Sequence, residues 1–398
     1  MLSTPFTFVS ILDNDFYKFT MQQCVVRLFP RAKAKYRFIN RGQHAFPDGF
    51  GNVLQSAVNA MASLRLTGEE KAYLQKACPY LDPVYLDFLA GYIYDPAEVQ
   101  ITQKGSEVEV AVEGFWYRTI LWEVPLLSLI SELYYTTQNA QRLPDDEVAQ
   151  KAKEKILKYK ALHVTIADFG TRRRHSYAVQ KLVVEALKSE GGNTYVGTSN
   201  VHLAMLQEGK PIGTHAHEWF MFHAAKYGFK MANTMALEHW VDVFRGDLGI
   251  ALSDTFTTDE FFEQFDKKFA KLFDGVRHDS GDPIEFAQKT IAHYQSLGID
   301  PKIKTIIFSD SLNYERVARI AEFCRGKIGM SFGIGTNLTN DVGLQPMNIV
   351  MKMVEALPEG EPWTPVVKLS DERGKYTGEP QTISLAKAVL GIRDESNL

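Results

Sequence analysis

Several features that would direct this chain to a membrane or to secretion are missing from its sequence. It has three cysteines, Cys24, Cys78 and Cys324, and none of them forms a CxxC pair. Three thiols cannot all pair within one chain, so we expect reduced cysteines in a cytoplasmic protein. No apolar run reaches the roughly 18 residues of a membrane helix, and no basic stretch with a long apolar core follows Met1. We therefore expect neither a membrane span nor a signal peptide.

The charge balance also excludes whole classes of partner. A net charge of −4 gives no general reason to bind nucleic acid or an anionic membrane, so any basic site must be local.

A Walker A motif is missing, and ATP, if it is used, is not held by a P-loop. With 398 residues, of which 45% are hydrophobic, the chain can form two globular domains.

What the sequence does contain is a series of short apolar runs that end in polar residues or glycine. The runs are VTIADF (164–169), NTYVGTS (193–199), PIGTH (211–215), GIALSD (249–254), FDGVRHD (273–279), TIIFSD (305–310) and GMSFGIG (329–335). Helix-length segments lie between most of them, which predicts parallel β/α units that close into an α/β barrel. The functional site of such a barrel lies at the carboxyl ends of its strands. The residues at these ends are Asp168, Thr198, His217, Asp254, Arg277, Asp279, Asp310 and Gly335.

The two ends of the chain differ from this middle part. Residues 1–125 predict an α+β sandwich, with a helix near 15–28, a strand at 34–41 and a hairpin at 98–114 that turns at Lys104–Gly105. The barrel is predicted over 126–344. The strand-like runs NIVMKMVEA and PVVKLSD in 345–398 are expected to return to the first domain.

The segment DFGTRRR (168–174) places three arginines directly after a predicted strand. They could simply be the solvated basic start of a helix. Gly170 and Thr171 nevertheless allow an anion to approach the backbone closely. Arginine binds phosphate through two N–H groups, so Arg172 is the candidate anion clamp. The kinase motifs that would accompany a kinase DFG are missing.

The segment GTHAHEW leaves three interpretations open for His215 and His217, which alternate at a predicted strand end. They could be a metal pair of a barrel hydrolase, structural histidines, or a site in which a neutral imidazole is the nucleophile. In the last case a carboxylate such as Asp254 would fix the tautomer. A metal site needs further histidines at later strand ends, where acidic residues and Arg277 stand instead.

The most specific signal is RHDSGDP, in which Arg277, Asp279 and Ser280 precede a tight turn at 281–283 that would open a helix. A surface turn is the plain alternative, although two carboxylates and an arginine seldom cluster for packing alone. FSDSLN repeats the arrangement with Asp310.

The last predicted strand end, FGIGTNLT, carries Gly333, Gly335 and Thr336. Loops at this position of a barrel often bind phosphate through backbone amides. Tyr17, in DNDFYKF, lies on a predicted helix capped by Asp13 and is either a core tyrosine or a site residue.

Together these segments resemble the nicotinate phosphoribosyltransferases, which are type II phosphoribosyltransferases. The resemblance covers almost the whole chain, in the order LDNDFYKFTMQQ, RTILWEVPLL, DFGTRRR, VGTSN, GTHAHEW, RHDSGDP, FSDSLN, SFGIGTNLT and VVKLSD. It implies an irregular TIM-like β/α barrel with an N-terminal α+β sandwich completed by the C-terminal segment. It also implies NAD biosynthesis: nicotinate and 5-phosphoribosyl 1-diphosphate give nicotinate mononucleotide and diphosphate. ATP hydrolysis is coupled through a phosphohistidine, with Mg²⁺ as cofactor, and no nucleic acid or membrane takes part.

The resemblance also implies roles for single residues. His217 would be phosphorylated, with Asp254 and Asp279 as its catalytic partners; no metal ligand is assigned with certainty. Phe169 would stack on the pyridine ring, and Tyr17 of a second subunit would cover the other face, which makes a homodimer with shared sites. The residues expected to bind substrate are Tyr17, Phe169, Arg172, Thr198, Arg277, Ser280, Asp310, Gly333, Gly335 and Thr336. Among them, Arg277 would meet the nicotinate carboxylate or a nearby phosphate, Arg172 would bind phosphate, Asp279 and Asp310 would lie near the ribose hydroxyls, and the 333–336 loop would hold the 5′-phosphate.

Several rival functions stay open at this point. The nearest is a nicotinamide phosphoribosyltransferase with the same fold. A quinolinate-specific enzyme would need a more basic pocket, and a barrel metal hydrolase would hold zinc at His215 and His217. A non-catalytic nucleotide-binding regulator is disfavoured, because the anion clamps and carboxylates are all in place.

Overall fold

The computed structural model describes residues 8–372 and 375–392. The strands in this part of the chain are β1 (Lys33–Asn40), β2 (Val99–Lys104), β3 (Glu107–Phe115), β4 (Ile166–Asp168), β5 (Tyr195–Thr198), β6 (Ile250–Leu252), β7 (Gly275–His278), β8 (Thr305–Phe308), β9 (Gly329–Ile334), β10 (Ile349–Leu357) and β11 (Thr364–Pro365). They form a five-stranded sheet in the order β11-β10-β1-β3-β2 and a six-stranded sheet in the order β5-β4-β9-β8-β7-β6.

The helices surround both sheets. They are α1 (Phe16–Leu28), α2 (Phe50–Ala60), α3 (Gly68–Ala77), α4 (Pro83–Ala90), α5 (Trp116–Thr119), α6 (Glu123–Thr137), α7 (Asp145–Ala161), α8 (Tyr177–Gly191), α9 (Val201–Leu206), α10 (His217–Tyr227), α11 (Phe229–Phe244), α12 (Thr258–Gln264), α13 (Lys267–Leu272), α14 (Pro283–Ser296), α15 (Tyr314–Cys324), α16 (Thr336–Thr339) and α17 (Pro380–Leu390). Short 3-10 turns occur at Met61–Ser63, Pro96–Glu98, Thr171–Arg173, Gly192–Thr194 and Pro301–Ile303.

The five-stranded sheet is antiparallel and joins the two ends of the chain. β2 and β3 form the predicted hairpin, whose turn uses the left-handed Gly105 (φ 59°). In β3, Val108, Val110 and Val112 are buried and alternate with side chains that face solvent, as a half-buried strand requires. β10 pairs with β1 along its length, so the run NIVMKMVEA completes this sheet as predicted. The prediction for PVVKLSD is wrong for most of the run, because only β11 (Thr364–Pro365) joins the sheet and residues 366–371 form no strand. The domain limits at 125 and 344 stay a prediction.

The six-stranded sheet is parallel and carries the barrel-like part of the molecule. Its strands are three to six residues long, and helices follow them. Because the strands run in one direction, their carboxyl ends collect at one edge, which is where the predicted site residues lie. The turn at 281–283 does open a helix, since α14 begins at Pro283 with Asp282 as its cap. The fold class predicted from the sequence is therefore confirmed.

The predicted strand at 211–215 is wrong. These residues form no strand, yet they cross between the two outer strands of the parallel sheet: the Ile212 N–H donates to the Thr198 carbonyl (3.0 Å), and the Thr214 hydroxyl donates to the Ile250 carbonyl (3.0 Å). Pro211 has no N–H to donate, and Gly213 has a φ of 143°. A regular ladder cannot form here, so the sheet closes irregularly.

Two smaller expectations can be compared with the structure. Cys24, Cys78 and Cys324 are buried and unpaired, as expected. The predicted cap of α1 is wrong: the N-cap residue is Asp15, and Asp13 instead forms a buried ion pair with Arg174. Within the described residues, no helix combines the length and the apolar character needed to cross a bilayer.

Candidate active site

His217 lies at the centre of the carboxyl edge of the parallel sheet, as the first residue of α10 rather than at a strand end. Its Nε2 is 3.0 Å from Asp279 Oδ2, and its Nδ1 is 3.0 Å from Thr255 Oγ1. His215 faces elsewhere, because its Nε2 accepts the Leu252 N–H (3.1 Å) and its ring packs edge-on against Trp240. The two histidines therefore do not form a metal pair.

Two carboxylates from neighbouring strand ends flank His217. Asp254, expected to orient the imidazole, has its Oδ1 3.8 Å from Nε2, and its Oδ2 accepts the Ser280 hydroxyl (2.6 Å). Asp279 makes the direct contact at 3.0 Å and accepts the Ser309 hydroxyl on its other oxygen (2.7 Å). The geometry thus gives Asp279 the orienting position, with Asp254 behind it.

Lys368 was not predicted from the sequence. Its Nζ lies 2.8 Å from His217 Nε2 and 3.2 Å from Asp254 Oδ2. Residue 368 reaches this point because the segment 366–369 crosses the barrel edge, where the Leu369 N–H donates to the Thr255 carbonyl (2.8 Å). The available signal was VVKLSD, which ends in polar residues in the same way as the barrel strands do.

The pKa of His217 lies below its usual value, which favours the neutral imidazole. Burial and the Lys368 ammonium lower the pKa of His217, although Asp254 and Asp279 oppose this. Burial would disfavour the charge of Asp279, but the hydrogen bond to His217 and the charges of Arg277 and Lys368 hold the pKa of Asp279 well below its usual range. Asp279 can accept a proton from Nε2, whereas the Lys368 ammonium can only donate to it, so the two contacts belong to different tautomers. In the tautomer that donates to Asp279 the lone pair is on Nδ1, and in either tautomer the neutral imidazole has a lone pair and can act as a nucleophile.

In DFGTRRR, Arg172 and Arg173 lie in a 3-10 turn and Arg174 follows it, and their environments differ. Arg174 is fully buried and pairs with both carboxylate oxygens of Asp13 (2.6 and 2.7 Å). Arg172 is 45% exposed, with Glu123 as a loose partner at 3.6 Å. Electrostatic interaction with Tyr17 raises the pKa of Arg172, and Glu123 and Asp15 act in the same direction against burial. A half-exposed arginine with a loose partner suits the predicted anion clamp, while the contribution of a second subunit's Tyr17 stays a prediction.

Phe169 and the glycine loop form one wall of the site. The Phe169 ring lies over Gly333, where an added Cβ would come within 3.0 Å of the ring. The Phe169 N–H donates to the Ile334 carbonyl (2.8 Å), which fixes the residue beside the last barrel strand. The short helix α16 begins at Thr336, with Gly335 as its N-cap residue. The structure therefore brings Phe169, Gly333, Gly335 and Thr336 together, as predicted.

Thr198, Arg277 and Asp310, the remaining predicted residues, differ in their positions and contacts. Thr198 is fully buried; its hydroxyl donates to Asp168 Oδ2 (2.7 Å) and accepts the Asn200 N–H (3.0 Å), so it supports the site from below. Arg277 donates to the His215 carbonyl (3.1 Å), but its buried Nε has no partner and is free for a ligand. Asp310 contacts Ser311 and Lys375 at the end of β8.

A group of mutually repelling cations lies beside these residues, and sequence reasoning missed it. Burial, with repulsion from Arg41 and Lys368, lowers the pKa of Lys352 to about 7. Burial, with repulsion from Arg172 and Arg41, lowers the pKa of Arg173 to about 10. Such mutual repulsion is relieved when a multiply charged anion binds.

The same edge can hold a divalent cation only together with a ligand. His217, Asp254 and Asp279 offer ligand atoms within 4.8 Å of one another, and Asp254 Oδ1 is buried without a hydrogen-bond partner. The Lys368 ammonium already supplies a positive charge there. Two carboxylates of this kind suit Mg²⁺ that arrives with phosphate oxygens.

Comparison with known proteins agrees with this architecture. A model of the nicotinate phosphoribosyltransferase (NAPRTase) family matches residues 164–394, and a model of the NAPRTase N-terminal domain matches residues 12–131. A nicotinate phosphoribosyltransferase of Chromohalobacter salexigens is 64% identical over 96% of this chain and 98% of its own length, and one of Desulforapulum autotrophicum is 51% identical with the same coverage.

Solved structures give the same answer. The crystal structure of a nicotinate phosphoribosyltransferase from Porphyromonas gingivalis is 46% identical and aligns with a TM-score of 0.94 over 97% of this chain and 100% of the other. That of a Vibrio cholerae nicotinate phosphoribosyltransferase is 34% identical, with a TM-score of 0.92 over 98% and 96% of the two chains. The chain belongs to the nicotinate phosphoribosyltransferase family.

Proposed function

We propose that the protein forms nicotinate mononucleotide and diphosphate from nicotinate and 5-phosphoribosyl 1-diphosphate, as a step of NAD biosynthesis. The observation that carries this proposal is the composition of one edge of the parallel sheet. A flat aromatic ring, mutually repelling cations and two carboxylates lie there around a neutral imidazole. These groups match a pyridine ring, phosphates and a ribose.

The proposed binding mode follows from these side chains. The pyridine ring stacks on Phe169, and the unpartnered Nε of Arg277 meets its carboxylate or a neighbouring phosphate. Backbone amides at 335–337 hold the 5′-phosphate, and Arg172 adds a positive charge. Asp279 and Asp310 lie near the ribose hydroxyls, while Arg41, Lys352 and Lys368 take the diphosphate.

The chemical step requires stabilisation of charge more than proton transfer. The pyridine nitrogen attacks C1 of the ribose with its own lone pair as the bond from C1 to the diphosphate oxygen breaks. Positive charge develops on the sugar and negative charge on the leaving group, which the cations stabilise. No general base is needed, because the attacking nitrogen carries no proton.

ATP hydrolysis is proposed to supply additional free energy for mononucleotide formation. The His217 lone pair attacks the γ-phosphorus, the β–γ bond breaks, and ADP leaves; water later hydrolyses the phosphohistidine to phosphate. Asp279 orients the ring, and the Lys368 ammonium balances part of the negative charge that the phosphoryl group brings. Mg²⁺, held by Asp254 and Asp279 together with phosphate oxygens, would neutralise part of the phosphate charge. The added charge of about −1.5 to −2 reorganises the site and raises substrate affinity. The active form is proposed to be a homodimer.

The test is an assay of mononucleotide formation from 5-phosphoribosyl 1-diphosphate, with nicotinate or nicotinamide, each with and without ATP and Mg²⁺. Nicotinate turnover that ATP stimulates is expected. Turnover with nicotinamide alone would overturn the proposed substrate, and full ATP stimulation in His217→Ala would overturn the phosphohistidine. Sedimentation of the active species tests the dimer.

A further inference from the structure

Lys18, on α1, is a charged residue that the proposed reaction does not use. Its side chain has no exposed surface, and its Nζ lies 2.5 Å from Glu123 Oε2 and 2.7 Å from Glu218 Oε1. Burial alone would lower the pKa of Lys18, but the two glutamates raise it, so the ammonium stays charged. Removing one ammonium and two carboxylates from water has a desolvation cost, which points to a function for these three charges.

Glu218, one of the two partners of Lys18, belongs to the helix that begins with His217. Glu218 is the second residue of α10, and Ala216, at the N-cap, has no side chain that can cap the helix. Further contacts from α1 hold the same segment: the Thr20 hydroxyl donates to the Thr214 carbonyl (2.5 Å). The Lys18–Glu218 pair thus ties the first turn of α10 to α1.

The other partner is shared with the anion clamp. Glu123 begins α6, with Oε2 on Lys18 and Oε1 3.6 Å from an Arg172 nitrogen. Burial disfavours its charge, yet Lys18 and Arg172 lower the pKa of Glu123, so the carboxylate stays ionised. Of its two cations, the buried Lys18 is close, whereas the half-exposed Arg172 is loosely held.

We propose that Lys18 is a positioning residue that satisfies Glu123 and thereby leaves Arg172 available for the anionic substrate. Without the ammonium, the buried Glu123 carboxylate would take Arg172 as its remaining cation and draw the guanidinium out of the site. Arg172 would then contribute less to anion binding. This inference rests on the anion-binding role of Arg172 in the proposed function.

The experiment compares Lys18→Met with the double variant Lys18→Met/Glu123→Gln. Two readouts are used: the Kd of inorganic diphosphate by calorimetry at low salt, and the KM for 5-phosphoribosyl 1-diphosphate. Lys18→Met should weaken diphosphate binding by about tenfold, which is the usual worth of one charge-assisted hydrogen bond. The double variant should return to within about twofold of the parent protein, because the amide no longer captures Arg172.

The rescue separates a positioning role from a merely structural one. Loss of packing around Lys18 would not be repaired by a second change, so a double variant as weak as Lys18→Met overturns the proposal. Arg118→Met is the matched control, since Arg118 pairs with the partly buried Glu98 away from the site; its diphosphate affinity should not change.

Two further measurements keep the outcome clear. If Lys18→Met does not fold, Glu123→Gln alone is measured, and it should tighten diphosphate binding by about two- to fivefold; unchanged or weaker binding overturns the proposal. If the parent protein makes no nicotinate mononucleotide, the proposed function fails, while the diphosphate data still decide whether Lys18 controls Arg172.

Discussion

At the residue scale, Asp279 and Asp254 both carry negative charge beside His217, but they contact it differently. Asp279 accepts from Nε2 at 3.0 Å, whereas Asp254 is 3.8 Å away and is engaged by Ser280. Asp279→Asn removes the negative charge and replaces one carboxylate oxygen by an NH2 donor, so the imidazole tautomer is no longer fixed and ATP-stimulated turnover should fall by about 100-fold. Asp254→Asn should lower ATP-stimulated turnover by about tenfold or less. Incorporation of labelled γ-phosphate into the protein, measured with kcat, checks this order, and the reverse order would contradict it.

Sequence reasoning found residues at this scale where chemistry and local pattern coincide. Asp279 and Arg277 were found because each stands at the end of an apolar run, and parallel strands bring such ends together, whereas Phe169 was named from the family resemblance. Lys368 was missed because its partner His217 is 151 positions away. The burial of Arg174 depends in the same way on Asp13, 161 positions earlier, and no local pattern distinguishes it from its two neighbouring arginines.

At the scale of elements, the last barrel strand and the DFG turn are packed so closely that glycine is required between them. An alanine Cβ at Gly333 would lie 3.0 Å from the Phe169 ring. Gly333→Ala should therefore tilt the ring and raise the KM for nicotinate by about tenfold, with a loss of stability of about 1–3 kcal/mol. Gly68→Ala is the control, because nothing lies within 4 Å of its Cβ. Steady-state kinetics and thermal unfolding of both variants test this, and an unchanged KM in Gly333→Ala would show that the ring does not define the nicotinate site.

Elements were predicted well where periodicity and turn residues agree, as in the β2–β3 hairpin and α14. The segment 211–215 was one of the short apolar runs that end in a polar residue, and for that reason it was wrongly predicted as a strand. Pro211 and the positive φ of Gly213 prevent one. The course of 366–369 over the barrel edge could not be predicted, because it depends on a backbone contact with Thr255 that only the folded barrel provides.

At the scale of the whole molecule, buried histidines and buried acids have opposite effects on the free energy of unfolding as pH falls. Burial lowers the pKa of His223 to about 3, and its Nε2 is 2.9 Å from His239 Nδ1. Below the unfolded value of about 6.5 the unfolded chain takes up a proton that the native His223 refuses, so this residue destabilises by about 1.4 kcal/mol for each pH unit. Burial raises the pKa of Glu132 to about 7, which acts in the opposite direction, because the native state then binds the extra proton.

The contribution of His223 can be isolated by substitution. His223→Gln should lower the free energy of unfolding at pH 7, since the hydrogen bond between His223 Nδ1 and the Trp219 carbonyl (2.6 Å) is disturbed. The difference from the parent protein should narrow by about 1.4 kcal/mol per pH unit between pH 6.5 and 4.5, because the parent alone carries the histidine penalty. Urea unfolding of both proteins at several pH values measures this. A constant difference for His223→Gln would instead mean that the native protein accommodates a charged imidazole between Trp219 and His239.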